Sequence, residues 1–271
     1  MKALPLALAL CLVSTAFAKS NDWVSAELIA NTTAVQAGQP FTVGLLLHVA
    51  PDMHVYWINP GDGGGPIRLT WNLPAGYTAG PLQFPVPDHI AQPGGLTIYG
   101  YENQVLLTTQ ITPPAAVAAG DPVALQATAH WVVCSTAQCY FGQRALTLNL
   151  PTGQAAPANQ AVFDAWQPRM PQPESDAFTS VDVTPSANAT QLTFHWKSAA
   201  PPNLYWFPGP SDEMTVRAQS LSTRQNVTVL TLSITPLAGI PQKTPTITGI
   251  LSYHQDSQPP RGVAVSFDRK L

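Results

Sequence analysis

The stretch His130-Trp-Val-Val-Cys-Ser-Thr-Ala-Gln-Cys-Tyr-Phe-Gly-Gln-Arg144 contains Cys134 and Cys139, and the only other cysteine of the chain is Cys11. An apolar, β-branched run precedes the first of the pair. After the second, leucines alternate with polar residues from 146 to 150, which is the period of a half-buried strand. The pattern therefore predicts a reversal between two β-strands. Four residues separate the cysteines, so this turn can bring their Cα atoms within the roughly 4.4–6.8 Å that a disulfide requires.

A disulfide across so short a turn would stabilise the fold only weakly. Closing a ring of about six residues lowers the conformational entropy of the unfolded chain, which stabilises the folded state by roughly 2 kcal/mol. A ring of about a hundred residues would contribute about 4.7 kcal/mol. This comparison favours a redox-active pair over a structural staple, although a purely structural disulfide and a metal site remain open at this point. A closed zinc site needs four ligands, commonly from a second C-x₂₋₄-C motif, and the sequence has no such motif.

The N-terminus has the features of a secretory signal peptide over residues 1–18. Lys2 supplies a positive charge, residues 4–13 an apolar core, and Ala16-Phe17-Ala18 a small-x-small cleavage site. No later apolar run approaches the roughly 18 residues of a membrane span. We therefore expect an exported, periplasmic protein. Once the signal peptide is removed, the mature protein would keep two cysteines and would lie in an oxidising compartment.

The amino-acid composition limits the fold classes and the classes of partner that are consistent with this chain. The net charge is −3, charged residues make up 10% of the chain, and Lys and Arg do not cluster, which argues against nucleic acid or an anionic membrane as a partner. The 28 prolines and 18 glycines interrupt the chain too often for long helices and favour many short strands.

The order of these strand patterns predicts an all-β protein with two domains. Residues 19–151 hold about eight short strand patterns and are expected to form an immunoglobulin-like sandwich. Within them, the proline-rich segment 81–95 is expected to be an irregular loop. Residues 152–177 read as a proline-rich linker with one short helix near 159–166. Residues 178–271 are expected to form a second, smaller β-sandwich.

Three sequence blocks resemble a known family when taken in this order and spacing. They match the N-terminal periplasmic domain of the DsbD-type protein-disulfide reductases, and in particular the ScsB-like branch, well over residues 20–151 and more weakly over 175–271. The blocks are Met53-His-Val-Tyr-Trp-Ile-Asn-Pro-Gly-Asp-Gly-Gly-Gly-Pro66 with Trp71-Asn-Leu-Pro-Ala-Gly76, Phe84-Pro-Val-Pro87 with Ile98-Tyr-Gly-Tyr-Glu102, and Trp131-Val-Val-Cys134 with Cys139.

The resemblance implies an immunoglobulin-like domain whose cysteine pair relays electrons without a cofactor. A thioredoxin-like domain or membrane thiol reductase would reduce the pair, which would then reduce periplasmic thiol–disulfide proteins, while a loop caps the disulfide. Carried over to this sequence, the redox pair is Cys134 and Cys139, the cap tip is Ile98 and Tyr99, and the residues beneath the sulfurs are His54 and Tyr56.

Further residues near these positions could support the chemistry. A protonated His54 or His130 close to one sulfur would lower its pKa and raise the thiolate fraction. Tyr101, together with Tyr99 and the aromatic pair 140–141, could shield the sulfurs. Each of these side chains could equally be an ordinary core or strand residue.

The sequence also departs from the family pattern. Tyr140-Phe141-Gly142-Gln143 stands where ScsB-like members usually carry Pro-Glu, and Ile98 replaces a common Phe. Since the sequence ends at Leu271, we expect the electron donor to be another polypeptide. The alternative is a non-catalytic adaptor or copper-tolerance accessory protein with an inert disulfide, whose copper ligands would be His48, Met53 and His54. The leading interpretation includes no metal site.

Overall fold

The computed structural model describes residues 23–117, 122–186, 188–239, 246–254 and 258–268, so the predicted signal peptide lies outside the described residues. The described chain is built of β-strands with two short α-helices, which confirms the all-β prediction. The first ten strands are β1 (Val24–Ala30), β2 (Phe41–Val49), β3 (His54–Gly61), β4 (Arg68–Asn72), β5 (Thr78–Ala79), β6 (Asp88–Gln92), β7 (Leu96–Glu102), β8 (Gln104–Thr112), β9 (Val123–Cys134) and β10 (Cys139–Leu150).

These ten strands form the expected immunoglobulin-like sandwich of two antiparallel sheets. The first sheet has the order β1-β2-β8-β5. The second has the order β10-β9-β3-β7-β6, with β4 also paired to β9. A shared apolar core that includes Leu47, Leu107 and Leu125 lies between them.

The alternation of side chains along strand β9 determines which face of the second sheet Cys134 occupies. Its odd-numbered residues Leu125 to Val133 are buried in the core, because successive side chains of a strand point to opposite faces of the sheet. The even-numbered residues therefore lie on the outer face of the second sheet. Cys134 continues this even-numbered row, so the disulfide lies outside the main core.

The expectation that residues 81–95 form only a loop is wrong, because β6 lies within them. β6 pairs antiparallel with β7, in register from Asp88 opposite Gly100 to Gln92 opposite Leu96. The prolines fall on either side of β6, and an edge strand can form because only one of its sides must supply hydrogen bonds.

Eight more strands form two further four-stranded sheets after a short helical connection. The third sheet has the order β11-β18-β17-β14 and the fourth β12-β13-β16-β15. A second core, which includes Phe194, Leu232 and Leu251, lies between them. The elements are α1 (Gln160–Trp166), β11 (Gln172–Pro173), α2 (Glu174–Ala177), β12 (Phe178–Pro185), β13 (Ala189–Trp196), β14 (Tyr205–Pro208), β15 (Met214–Arg224), β16 (Val227–Pro236), β17 (Thr246–Tyr253) and β18 (Arg261–Asp268).

The structure confirms the short helix expected near 159–166 as α1. Neither helix in the described part of the chain is long and apolar enough to cross a membrane. The third sheet packs on both of its faces, since Leu251 faces the second core whereas Phe207 and Ile250 belong to the first. The second β-domain therefore covers part of the first.

Candidate functional site

A disulfide joins Cys134 to Cys139 across the β9–β10 turn, as the turn pattern predicted. The two residues are direct cross-strand partners, with Cα atoms 4.1 Å apart, slightly closer than the range expected from the sequence. Ser135 shapes the turn. Its Oγ accepts the backbone N–H groups of Ala137 and Gln138 at 3.2 Å, and its own N–H donates to the Gln138 carbonyl at 2.9 Å.

The two cysteines differ sharply in exposure. Cys134 is 1% exposed, whereas Cys139 is an exposed residue at the start of β10. Among the described strands β10 pairs only with β9, so Cys139 lies on the edge strand of the second sheet. A visiting thiol can therefore approach the disulfide from the Cys139 side.

Cys134 is buried in a small apolar cluster on the outer face of the second sheet. We call this group of residues the disulfide cluster. Its members are Tyr56, Ile98 and Cys134, with Ile90 and Val132 packed against them. The cluster is separate from the two large cores, so the disulfide has a local cover of its own.

His54 and Tyr56 lie on the same face of the second sheet as Cys134. His54 is the direct cross-strand partner of Cys134. Its Nε2 lies 3.1 Å from the Tyr56 hydroxyl, and the two rings meet edge to face at 5.1 Å. Burial lowers the pKa of His54 and raises the pKa of Tyr56. At neutral pH both side chains are therefore uncharged hydrogen-bonding groups, and His54 does not supply the positive charge considered from the sequence.

The glycine-rich segment after β3 forms one wall of the disulfide cluster. A Cβ at Gly64, which has φ +86°, would overlap the ring of Tyr56, and a Cβ at Gly65 would come 3.2 Å from Val132. Only glycine lets this backbone lie so close to the cluster. The packing of this run on Tyr56 could not be inferred from the sequence.

Ile98 covers the disulfide cluster, but Tyr99 and Tyr101 do not. They project to the other face of β7, because side chains alternate along a strand. Tyr101 is fully buried in the main core, where its hydroxyl donates a hydrogen bond to the Pro85 carbonyl at 2.7 Å. Tyr99 packs against Phe207 of β14. The expectation that both tyrosines shield the sulfurs is thus corrected.

His130 is not brought to the sulfurs. It lies on the same face of β9 as Cys134, but four residues earlier, which is about 13 Å along a strand. Its cross-strand neighbours are Arg68 and Gln143. His130 therefore has no direct role in lowering a thiol pKa in this arrangement.

Asp62 follows β3 directly and was not among the site residues expected from the sequence. Its Oδ2 accepts the backbone N–H of Thr97 at 2.9 Å, next to Ile98, and its Oδ1 accepts a hydrogen bond from Arg217 at 2.9 Å. The hydrogen bond from Thr97 lowers the pKa of the Asp62 carboxyl against the opposing effect of partial burial, and Arg217 lowers it further. The carboxylate is therefore charged at neutral pH.

The copper ligands of the alternative interpretation have different partners. His48 contacts Gln104 at 3.2 Å and Glu27 at 3.9 Å on the first sheet, whereas His54 contacts Tyr56 on the second. Within the described ranges no three His, Cys, Asp or Glu residues are grouped as a metal site would require. No observation on this part of the chain favours the copper interpretation.

The first β-domain is similar to one known family. Residues 21–151 match the family described as the N-terminal part of the thiol:disulfide interchange protein DsbD. No curated protein matches the sequence significantly.

Solved structures show that a relative shares the two-domain fold. The N-terminal periplasmic domain of ScsB from Proteus mirabilis is similar with a TM-score of 0.67 at 16% identity, over 92% of this chain and 95% of that one. The N-terminal domain of DsbD from Neisseria meningitidis, in its reduced form, matches at 15% identity over 48% of this chain and 90% of that one, with a TM-score of 0.26.

The match over residues 21–151 supports a thiol–disulfide exchange module. Residues 21–151 are similar to the DsbD N-terminal domain family.

Proposed function

We propose that this protein relays electrons in the periplasm through the Cys134–Cys139 pair. The observation that carries the proposal is the pairing of an exposed Cys139 with a buried, capped Cys134 in a domain similar to the DsbD N-terminal domain family. Thiol–disulfide exchange needs one sulfur that a partner thiolate can reach and a second that can leave.

The exchange runs through a mixed disulfide. A thiolate of the reduced donor attacks Sγ of Cys139, the Cys134–Cys139 bond breaks, and Cys134 leaves as a thiolate. The second thiolate of the donor then attacks the donor's own sulfur in the mixed disulfide and releases Cys139. The pair gains two electrons and the donor becomes a disulfide. The same steps in reverse pass the electrons to an oxidised acceptor protein.

The neighbours of Cys134 have proposed roles in these steps. Ile98 acts as the cap that keeps Cys134 from solvent, and the uncharged His54 and Tyr56 lie near the leaving sulfur as hydrogen-bonding groups. Residues 19–151 form the exchange domain, 152–177 the linker and 178–271 the second domain.

The partners follow from the same family. We propose a thioredoxin-like domain or membrane thiol reductase as the donor and periplasmic thiol–disulfide proteins as the acceptors. The periplasmic assignment is supported by the relative from Proteus mirabilis, which is a periplasmic domain.

The first test is the reduction potential of the Cys134–Cys139 couple, measured by equilibration with glutathione or dithiothreitol. We expect a value between about −270 and −120 mV, the span of thioredoxin, protein disulfide isomerase and DsbA. A value below about −300 mV, typical of stable structural disulfides, would contradict the relay and support an inert adaptor.

A second prediction concerns Phe141, which is 91% exposed and lies two residues after Cys139 on the same outer face of the edge strand. A partner bound at Cys139 would bury this ring, and a buried aromatic anchor contributes about 1–2 kcal/mol to an interface. Phe141→Ser should therefore slow reduction by a thioredoxin-like protein roughly tenfold and leave reduction by dithiothreitol unchanged.

Stopped-flow fluorescence measures both rates, and Leu237→Ser is the matched control because Leu237 is an exposed apolar residue of the second β-domain. Equal slowing with both reductants would show that the substitution alters the disulfide itself rather than the docking of a partner.

A further inference from the structure

The loop at the end of β3 is hydrogen-bonded on one side to β7, which carries Ile98 and is called here the cap strand. On its other side the loop is hydrogen-bonded to the second β-domain. Asp62 donates its backbone N–H to the Thr97 carbonyl at 2.8 Å, and its carboxylate accepts the Thr97 N–H in return. The other carboxylate oxygen accepts the hydrogen bond from Arg217 on β15, 155 residues later in the sequence. A single side chain thus connects the second β-domain to the residue before Ile98.

The same loop has a second link to that domain. The side-chain amide of Asn59 donates to the backbone carbonyl of Pro208 on β14 at 2.8 Å, while its oxygen accepts the N–H of Gly61 at 3.1 Å. Gly61 is itself paired with Ile98 across the β3–β7 ladder. Two independent polar contacts therefore hold this loop, and through it the start of β7, against β14 and β15.

The cap strand is also held from its other face. Tyr99 follows Ile98 on β7, so its side chain lies on the face of the strand opposite the disulfide cluster. Its ring packs at 5.1 Å from Phe207 and 6.4 Å from Tyr205, edge to face in both cases. Burial raises the pKa of Tyr99 well above its ordinary value, and a hydrogen bond with Tyr205 adds to this. β14 thus packs on the face of β7 opposite the disulfide cluster.

We propose that the second β-domain positions the cap, and that Arg217 is a positioning residue that acts through Asp62 and Thr97 to keep Ile98 over Cys134. This inference rests on the proposed function only in treating Ile98 as the cap. The side chain of Arg217 is 65% exposed and that of Asp62 21%, so the ion pair is weak enough for an arriving partner to displace. Displacing it would loosen the start of β7 and uncover the buried sulfur.

The test reads the cap directly from the reactivity of Cys134. In full-length protein carrying Cys139→Ser, the rate at which iodoacetamide labels Cys134 reports how often the cap opens, and mass analysis of the peptide that contains Cys134 excludes label on Cys11. We expect Arg217→Gln to raise this rate about two- to fivefold, as for the loss of a partly exposed ion pair. Arg217→Glu should raise it further, because a second carboxylate would repel Asp62, and Arg217→Lys should restore most of the protection.

Arg224→Glu is the matched control, since Arg224 is an exposed arginine near the far end of β15. It should leave the labelling rate at the parent value. In a double-mutant cycle, Asp62→Asn and Arg217→Gln should not add, because each removes the same interaction.

Equal labelling rates in the Arg217 variants and the parent would overturn the proposal. So would an equal increase in Arg224→Glu, because that would reflect a general loss of stability. The assay needs no redox partner. An inert disulfide would therefore fail the potential measurement while leaving this result intact, so the two proposals can fail separately.

Discussion

The Cys134→Ser variant should form mixed disulfides with thioredoxin-like partners through Cys139. We expect this rate to be on the order of a hundredfold higher than the rate at which the Cys139→Ser variant forms them through Cys134. Cys139 is exposed, whereas Cys134 is covered and reacts only in the minor population with an open cap, which is typically about 0.1–10% of the molecules. Without Cys134, the domain has no second thiolate beside Cys139 that can attack the mixed disulfide and resolve it. The sequence left open which sulfur is attacked first, and the difference in burial favours Cys139.

The measurement uses a thioredoxin-like protein with one cysteine, activated as its mixed disulfide with 5-thio-2-nitrobenzoate. Attack by Cys139 joins the two proteins and releases one nitrothiobenzoate anion, so absorbance gives the rate and intact mass gives the product. All proteins in this assay also carry Cys11→Ser, and the protein with Cys11, Cys134 and Cys139 all replaced by serine should release none. Similar rates for the two single-cysteine proteins would refute the assignment of Cys139 as the attacked sulfur.

Ile98→Ala should expose Cys134 and raise its labelling rate roughly thirtyfold in the Cys139→Ser protein. Ile98 is 4% exposed and packs on Tyr56 and Cys134, and truncating a buried aliphatic side chain to alanine costs about 2 kcal/mol or more. If that packing is lost on opening, the closed state is weakened by the same amount, which corresponds to a factor of about thirty.

The matched control for this prediction is Ile234→Ala, which removes a comparably buried isoleucine from the second core. Both variants should lose similar free energy of unfolding in urea titrations, but only Ile98→Ala should expose Cys134. If both variants raise the labelling rate alike, Ile98 contributes stability rather than a cap.

The sequence predicted those features that depend on neighbouring residues. Strand alternation after Cys139, the four residues between the cysteines and the glycine- and proline-rich turns are local patterns, and they were sufficient for an all-β fold with a disulfide at a strand reversal. The short helix of residues 160–166 was visible for the same reason. The sequence did not predict β6. The four prolines within residues 81–95 favour an irregular loop, and the strand between them is only five residues long.

Which face a side chain occupies required the register between strands. Alternation alone places Ile98 and Tyr99 on opposite faces of one strand, but only the pairing of β7 with β3 and of β3 with β9 shows that Ile98 faces Cys134. The same register puts His54 beside the sulfur and leaves His130 about 13 Å away. A shift of the strand register by one residue would move each of these side chains to the opposite face of the sheet.

The sequence by itself predicted that the two cysteines lie at a strand reversal close enough to bond, because only four residues separate the two strand patterns. The tertiary structure alone decided that Cys134 is buried and Cys139 exposed, and that Arg217 reaches Asp62. Burial and long-range contacts depend on how distant strands pack, and no local pattern encodes a contact between residues 155 positions apart.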